Sequence, residues 1–182
     1  MRYRRVVIEG ATYFFTVVTH QRKPLFGGAG AVPLLESAIA KIRLRWPFEI
    51  DAQVILPDHL HAIWSLPEAD ANYATRWRLI KEEFTREFLK RNAARDRTEA
   101  SRARGEQLIW QRRFWEHTIR DETDFARHLD YVHLNPVHHG LAPAPRDWPH
   151  STFKSWVDKG FYDLSWGSNQ VPELPDWARP FE

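Results

Sequence analysis

The chain has no cysteine among its 182 residues, which excludes a disulfide framework and a cysteine-ligated zinc site. It has no apolar run long enough to span a bilayer and nothing that resembles a signal peptide, so the expectation is a cytoplasmic protein with no membrane partner. Its net charge is only +2, yet that figure understates the basic character. Of 26 basic residues 20 are arginine, and the stretch from Arg76 to Arg120 holds 13 basic against 7 acidic residues. The planar guanidinium suits phosphate, and 9 tryptophans with 11 phenylalanines could supply faces for base stacking. The same composition also describes a solvated basic face around a tryptophan-rich core, and composition does not separate the two. With 43% hydrophobic residues the chain can bury the core of one globular domain.

The elements follow from hydrophobic period and punctuation. After a Glu9-Gly10 turn, Ala11 to His20 is aromatic and β-branched and reads as a central strand. A glycine-rich loop leads to Ala31–Trp46, with Leu34, Leu35, Ala38, Ile39 and Ile42 at helical spacing and Pro47 as the stop. Phe48 to Leu56 reads as a strand, Pro57-Asp58 as a tight turn and His59 to Leu66 as the hairpin partner. Asn72 to Arg95 is a second helix, with Trp77, Ile80, Phe84, Phe88 and Leu89 as its buried stripe and Arg76, Lys81, Arg86, Lys90 and Arg91 over the rest. Asp96 to Gln107 lacks an apolar stripe and reads as a helical extension or a mobile loop. Leu108 to Arg120 reads as a fourth strand; its Arg112-Arg113 pair either brings charge to a polyanion or protects a sheet edge. Asp121 is an N-cap for a third helix carrying Phe125, Leu129 and Val132, with Pro136 marking its end.

This order, strand, helix, strand, strand, helix, strand, helix, predicts an α+β, ferredoxin-like domain: an antiparallel sheet with helices packed on one face. Residues 1–141 form that domain in this reading. Residues 142–182, rich in proline and tryptophan, form an irregular C-terminal tail that wraps it. The tail's acidic balance from Val157 onward, five acidic to two basic residues, argues against its last stretch as a polyanion surface.

Two segments carry candidate chemistry. In Val54-Ile55-Leu56-Pro57-Asp58-His59-Leu60-His61-Ala62-Ile63-Trp64, side chains two apart share a strand face, so His59 and His61 point together while Leu60 anchors the other side. Two imidazoles on a rigid strand begin a metal site, or form a polar strand face. In Asp121 to Gly140, Tyr131 and Asn135 are one helical turn apart and share a face, next to Arg127 and His128. From that segment alone, the favoured reading is Tyr131 as a core tyrosine and Asn135 as a C-terminal cap.

Together, Leu56-Pro57-Asp58-His59-Leu60-His61 and Tyr131-Val132-His133-Leu134-Asn135-Pro136-Val137 resemble the REP-associated tyrosine transposases, single-tyrosine relatives within the HUH nuclease superfamily. Tyr13-Phe14-Phe15-Thr16, Arg22-Lys23-Pro24-Leu25-Phe26 and Trp110-Gln111-Arg112-Arg113-Phe114-Trp115-Glu116-His117 add to the resemblance, which runs from about Arg4 to Leu141. Trp148-Pro149-His150-Ser151-Thr152 is similar to a segment that follows the catalytic helix in this family. His138, after Asn135-Pro136-Val137, stands where the family usually has a basic residue, which leaves charge there dependent on pH.

The resemblance implies a metal-dependent transposase that nicks and rejoins single-stranded DNA at hairpin, REP-like sequences. It implies Tyr131 as the nucleophile that takes a 5′ phosphate and frees a 3′ hydroxyl. His59, His61 and Asn135 would hold Mg²⁺ or Mn²⁺, and Arg4, Arg5, Arg112 and Arg113 would contact the DNA backbone. It implies a monomer, with a dimer as the alternative. The rival reading is a non-catalytic regulatory module that binds DNA hairpins. A metal-dependent hydrolase that does not use the tyrosine, and RNA recognition on the sheet, are further alternatives.

Overall fold

A computed structural model describes residues 8–28, 30–92 and 109–168. Strands β1 (Thr12–Val18), β2 (Glu49–Ile55), β3 (His59–Ser65) and β4 (Trp115–Thr118) alternate with helices α1 (Ala31–Arg43), α2 (Tyr73–Asn92) and α3 (Glu122–His138), followed by a short α4 (Phe153–Asp158). The strands form one sheet in the order β2-β3-β1-β4, and each pairing is antiparallel. This is the ferredoxin-like arrangement expected from the element order. β1 and β3 are the central strands, so the two histidines do sit mid-sheet.

Strand alternation divides the interior in two. Tyr13, Phe15 and Val17 with Leu60, Ala62 and Trp64 turn to the face covered by α1 and α2, where Trp64 stacks on Trp77 at a centroid distance of 4.0 Å. Such a pair adds roughly 0.5–1.5 kcal/mol beyond the apolar area it buries. Phe14, Ala52, Val54 and Ile63 turn to the other face and meet Leu129, Tyr131 and Val132 of α3. Two helices thus share one face, and the helix bearing Tyr131 covers the reverse.

Three local expectations change. Arg76, assigned by periodicity to the polar side of α2, is fully buried: it donates to both carboxylate oxygens of Asp70 at 3.1 and 2.7 Å and to the carbonyls of Asn72 and Pro47. Its charge is tolerated because each contact is a charge-assisted hydrogen bond. The fourth strand covers only Trp115–Thr118, with Trp110 in an isolated bridge to Thr19. The exposed Arg112 and Arg113 lie between the two, and no strand forms there. Asp96–Gln107 lies outside the described residues.

Pro136 does not end α3. Asp121 caps the helix by accepting from the Asp124 amide, and the helix continues to His138. A proline near a helix end removes a single hydrogen bond. Buried packing of Leu134, Asn135 and Pro136 offsets that loss, and the chain leaves the helix at Gly140 with φ +65°, a conformation glycine adopts without strain.

The chain after α3 runs along the open edge of β2. The Ile55 amide donates to the His150 carbonyl, the Thr152 amide to the Gln53 carbonyl, and the Trp148 and Trp156 indoles to the carbonyls of Ile55 and Asp51. These bonds cover an edge that would otherwise present unpaired backbone groups.

Candidate active site on the α3 face of the sheet

His59 and His61 leave β3 on the α3 side because Leu60 between them is committed to the opposite core. The register sets His61 beside Thr16 and His59 beside Val18 of β1. Thr16 Oγ1 and His61 Nδ1 share a hydrogen bond of 2.9 Å, which directs His61 Nε2 toward α3. His59 Nδ1–H donates to Asp58 Oδ1 at 2.7 Å, and Arg22 donates to the other carboxylate oxygen at 3.2 Å. A carboxylate only accepts, so this bond places a proton on His59 Nδ1, and in the neutral ring the lone pair is then on Nε2. Burial pushes the Asp58 carboxyl up, but the bonds from His59 and Arg22 outweigh it and hold it below the usual range. For His61, complete burial and the neighbouring His59, His139 and Arg22 push the imidazole pKa well below its ordinary value. Its neutral form is the one that offers a ligand lone pair.

α3 completes the site. The Tyr131 ring packs edge-on against His61 and Phe14, and its hydroxyl lies 3.4 Å from His61 Nε2. One turn beyond Asn135, His139 packs its ring 5.2 Å from that of His59. Tyr131 and Asn135 share one row of the helix and His139, its C-cap, follows one turn on, so Asn135 comes between two residues that each touch one of the strand histidines. Asn135 and His61 are fully buried, His59 is 1% exposed and Tyr131 2%.

The donor chemistry fits a divalent ion. His59 Nε2 and both amide atoms of Asn135 are buried and make no hydrogen bond among the described residues, an arrangement that costs roughly 1–3 kcal/mol per group unless a ligand meets them. A second cluster, His117, Asp124 and His128, also brings three potential ligand atoms together, but its carboxylate is already engaged. Asp124 Oδ2 receives His117 Nε2, the Arg120 amide and the Arg120 guanidinium. Burial pushes the Asp124 carboxyl up, yet these donors hold it at about 2. That cluster ties β4 to the first turn of α3; a guanidinium on the carboxylate is poorly suited to a cation.

Other residues fall where their surroundings dictate. His128, three residues before Tyr131, hydrogen-bonds through Nδ1 to the Asp124 carbonyl, and burial pushes it down to about 4. His133 turns away from Tyr131 to Thr152 at 3.0 Å, and burial pushes it to about 3. Arg112 and Arg113 are exposed near the C-terminal end of β1. Arg4 and Arg5 lie outside the described residues. Asp58, Thr16, Arg22 and His139 were not singled out by sequence reasoning. An acid immediately before the first histidine was a readable signal for Asp58; Thr16 becomes visible only through the β1–β3 register.

A ferredoxin-like sheet carrying two histidines on a central strand, opposite a tyrosine and an asparagine on a covering helix, defines the class as an HUH-type single-tyrosine domain. No protein-family model matches the chain. Among curated proteins it is 42% identical over 168 residues to the REP-associated tyrosine transposase of Escherichia coli (strain K12), covering 92% of this chain and 91% of that one. A Haemophilus influenzae protein described provisionally in the same terms is 42% identical over 172 residues, 94% of this chain and 95% of the other. Among solved structures, a REP-associated tyrosine transposase bound to a REP hairpin superposes with a TM-score of 0.76 at 40% identity, over 96% of this chain and 94% of that one. The chain belongs to the REP-associated tyrosine transposase family.

Proposed function

We propose that this protein nicks and rejoins single-stranded DNA at hairpin sequences through a covalent tyrosine intermediate. The observation that carries the reading is the meeting of Tyr131, His61, His59 and Asn135 on one face, with the Tyr131 hydroxyl 3.4 Å from His61 Nε2 and buried, unmatched ligand atoms on His59 and Asn135. Tyr131 Oη attacks the scissile phosphorus; an O–P bond forms as the P–O3′ bond breaks. The phenolic proton passes to solvent and the departing 3′ oxygen takes one up. The product is a 5′ phosphotyrosine with a free 3′ hydroxyl. Attack of a 3′ hydroxyl on that phosphotyrosine reverses the step and joins the strands, so the energy of the broken bond is retained.

His59 Nε2, His61 Nε2 and the Asn135 amide oxygen would hold Mg²⁺ or Mn²⁺. When bound, the ion supplies polarisation of the scissile phosphate and offsets the charge that develops on it. Asp58 and Thr16 hold the two imidazoles in the required orientation, and Phe14 fixes the plane of the His61 ring at a stacked distance of 5.5 Å. Burial of the tyrosine requires that the wall over the site give way when DNA enters. A single strand can bend into such a recess, whereas duplex DNA resists it. Arg112 and Arg113, with Arg4 and Arg5, meet the phosphate backbone, and the relative solved with a REP hairpin supports hairpin DNA as the partner. The protein acts as a monomer in this reading.

The enclosed position of Tyr131, 2% exposed, favours one second reading, a hairpin-binding module that cuts nothing. Single-stranded oligonucleotides carrying hairpins from beside the gene, incubated with Mn²⁺ or Mg²⁺ and run on a denaturing gel, separate the two. The expected result is a metal-dependent protein–DNA adduct that disappears in Tyr131→Phe and in His59→Ala. Tight hairpin binding with no adduct under these conditions would assign the protein to the binding module.

A further inference from the structure

α3 is held against the sheet from two sides. Toward β2 the chain that follows it supplies the grip: His133 bonds Thr152 across 3.0 Å, and the Tyr162 hydroxyl donates to Asp130 at 2.6 Å. Toward β4 the grip is made of rings. His117 of β4 and His128 of α3 stack with centroids 4.6 Å and planes 11° apart, and Trp115 lies parallel to His117 at 5.9 Å and 5°. Asp124 anchors this pile. Its Oδ2 accepts from His117 Nε2 and its backbone carbonyl from His128 Nδ1, each at 2.8 Å. A carboxylate and a carbonyl only accept, so one residue in the first turn of α3 places a proton on each imidazole and fixes the plane of both.

The inner end of the pile is Phe14. It packs 4.9 Å from His128, is the register partner of His117 across β1 and β4, and meets Tyr131 edge-on at 5.8 Å and 65°. The Tyr131 ring thus has two described aromatic neighbours: His61 of the metal-ligand pair at 4.9 Å and Phe14, whose place the pile determines. His128 is 3% exposed, and burying an imidazole carries a desolvation cost that a leucine at that position would avoid. What the imidazole adds is a flat face whose orientation a hydrogen bond fixes. Such precision matters for a nucleophile, because a displacement of about 1 Å can cost about 100-fold in rate.

We infer that His117 is a positioning residue for Tyr131: the imidazole pile anchored by Asp124 sets Phe14, and Phe14 sets the tyrosine ring. This rests on the nucleophile reading above and adds to it a residue of the edge strand that acts only through other side chains. Its effect therefore falls on the rate of the covalent step, and the affinities for hairpin and metal are left in place.

The test compares wild type with His117→Leu and His117→Phe, the second of which keeps a flat ring against His128 without the bond to Asp124. Single-turnover adduct formation on a saturating hairpin oligonucleotide with Mn²⁺ should fall roughly tenfold in His117→Leu and by no more than about threefold in His117→Phe. Hairpin and Mn²⁺ affinities should stay within about twofold of wild type in both. In the metal-free protein without DNA, tyrosines labelled with ¹³C at Cε give five signals, and the one missing from Tyr131→Phe belongs to Tyr131. His117→Leu should move that signal and leave the signal of Tyr162, on the other side of α3, where it is; His117→Phe should leave both near wild type. A wild-type rate in His117→Leu, a Tyr131 signal that stays in place, equal losses in the two variants, or affinities that fall with the rate would each overturn the inference. So would a Tyr162 signal that moves as far as that of Tyr131, since it marks a general loosening of α3. The spectra need neither DNA nor metal. If the Tyr131 signal moves as expected while no protein forms an adduct, the pile still sets the ring and the nicking reading fails.

Discussion

Replacing Asp58 with alanine removes the acceptor that holds the His59 proton on Nδ1. The imidazole can then move its proton to Nε2, the atom that carries the ligand lone pair in the proposed site, and a protonated Nε2 cannot bind a cation. Loss of an outer hydrogen bond to a ligating histidine lowers metal affinity by about 10–100-fold, or about 1.4–2.7 kcal/mol. The ion pair lost with it, Arg22 to Asp58 at 3.2 Å, joins side chains that are 38% and 21% exposed, and pairs so placed contribute at most about 1 kcal/mol to folding. The two effects separate in measurement. Titration of Mn²⁺, followed by the electron paramagnetic resonance of the free ion, should show Asp58→Ala weakened by that factor. Asp58→Asn, which keeps an acceptor but not the charge, should be weakened less. Thermal melting of the metal-free proteins should show Asp58→Ala destabilised by about 1–3 kcal/mol, because the buried His59 Nδ1 loses its partner, and Asp58→Asn destabilised by less. Wild-type affinity in Asp58→Ala would refute the orienting role of the carboxylate, and wild-type affinity in His59→Ala would remove the metal from this site.

Three further outcomes are expected. Tyr131→Phe deletes one oxygen whose described contact is a long one, 3.4 Å, so urea unfolding should shift by no more than about 1 kcal/mol; a larger loss would mark the tyrosine as structural. Arg76→Ala removes a fully buried guanidinium with four hydrogen bonds and should cost about 3–5 kcal/mol in the same assay, whereas a cost below about 1 kcal/mol would mean that water solvates the group. Asp124 is held at about 2 in the folded chain, below its unfolded value near 4. The ionised folded form is favoured, so its contribution is present above about pH 4 and is lost as pH falls toward 2. Asp124→Asn should accordingly be destabilised at neutral pH, and its gap from wild type should close between about pH 4 and 2; a constant gap would contradict the hydrogen-bond account.

The local features of this protein were legible in its sequence because they depend on period and punctuation. Alternation in β3 places His59 and His61 on one side, helical spacing places Tyr131 and Asn135 on one side, and Asp121 and the Pro57-Asp58 turn mark boundaries that the structure keeps. Element order alone was enough for a ferredoxin-like sheet. Periodicity could not place Arg76, since its burial depends on Asp70 and on the Pro47 carbonyl from another part of the chain. Nor could it foresee that α3 would pass through Pro136, because packing around the last turn offsets a lost backbone bond. The meeting of histidines with tyrosine is of the same kind. It required α3 to cross the face opposite α1 and α2, and it required the β1–β3 register that sets Thr16 beside His61. Sequence by itself determined which side chains share a face within each element; which faces meet was decided only by tertiary packing, where contacts between residues far apart in the chain outweigh local preference.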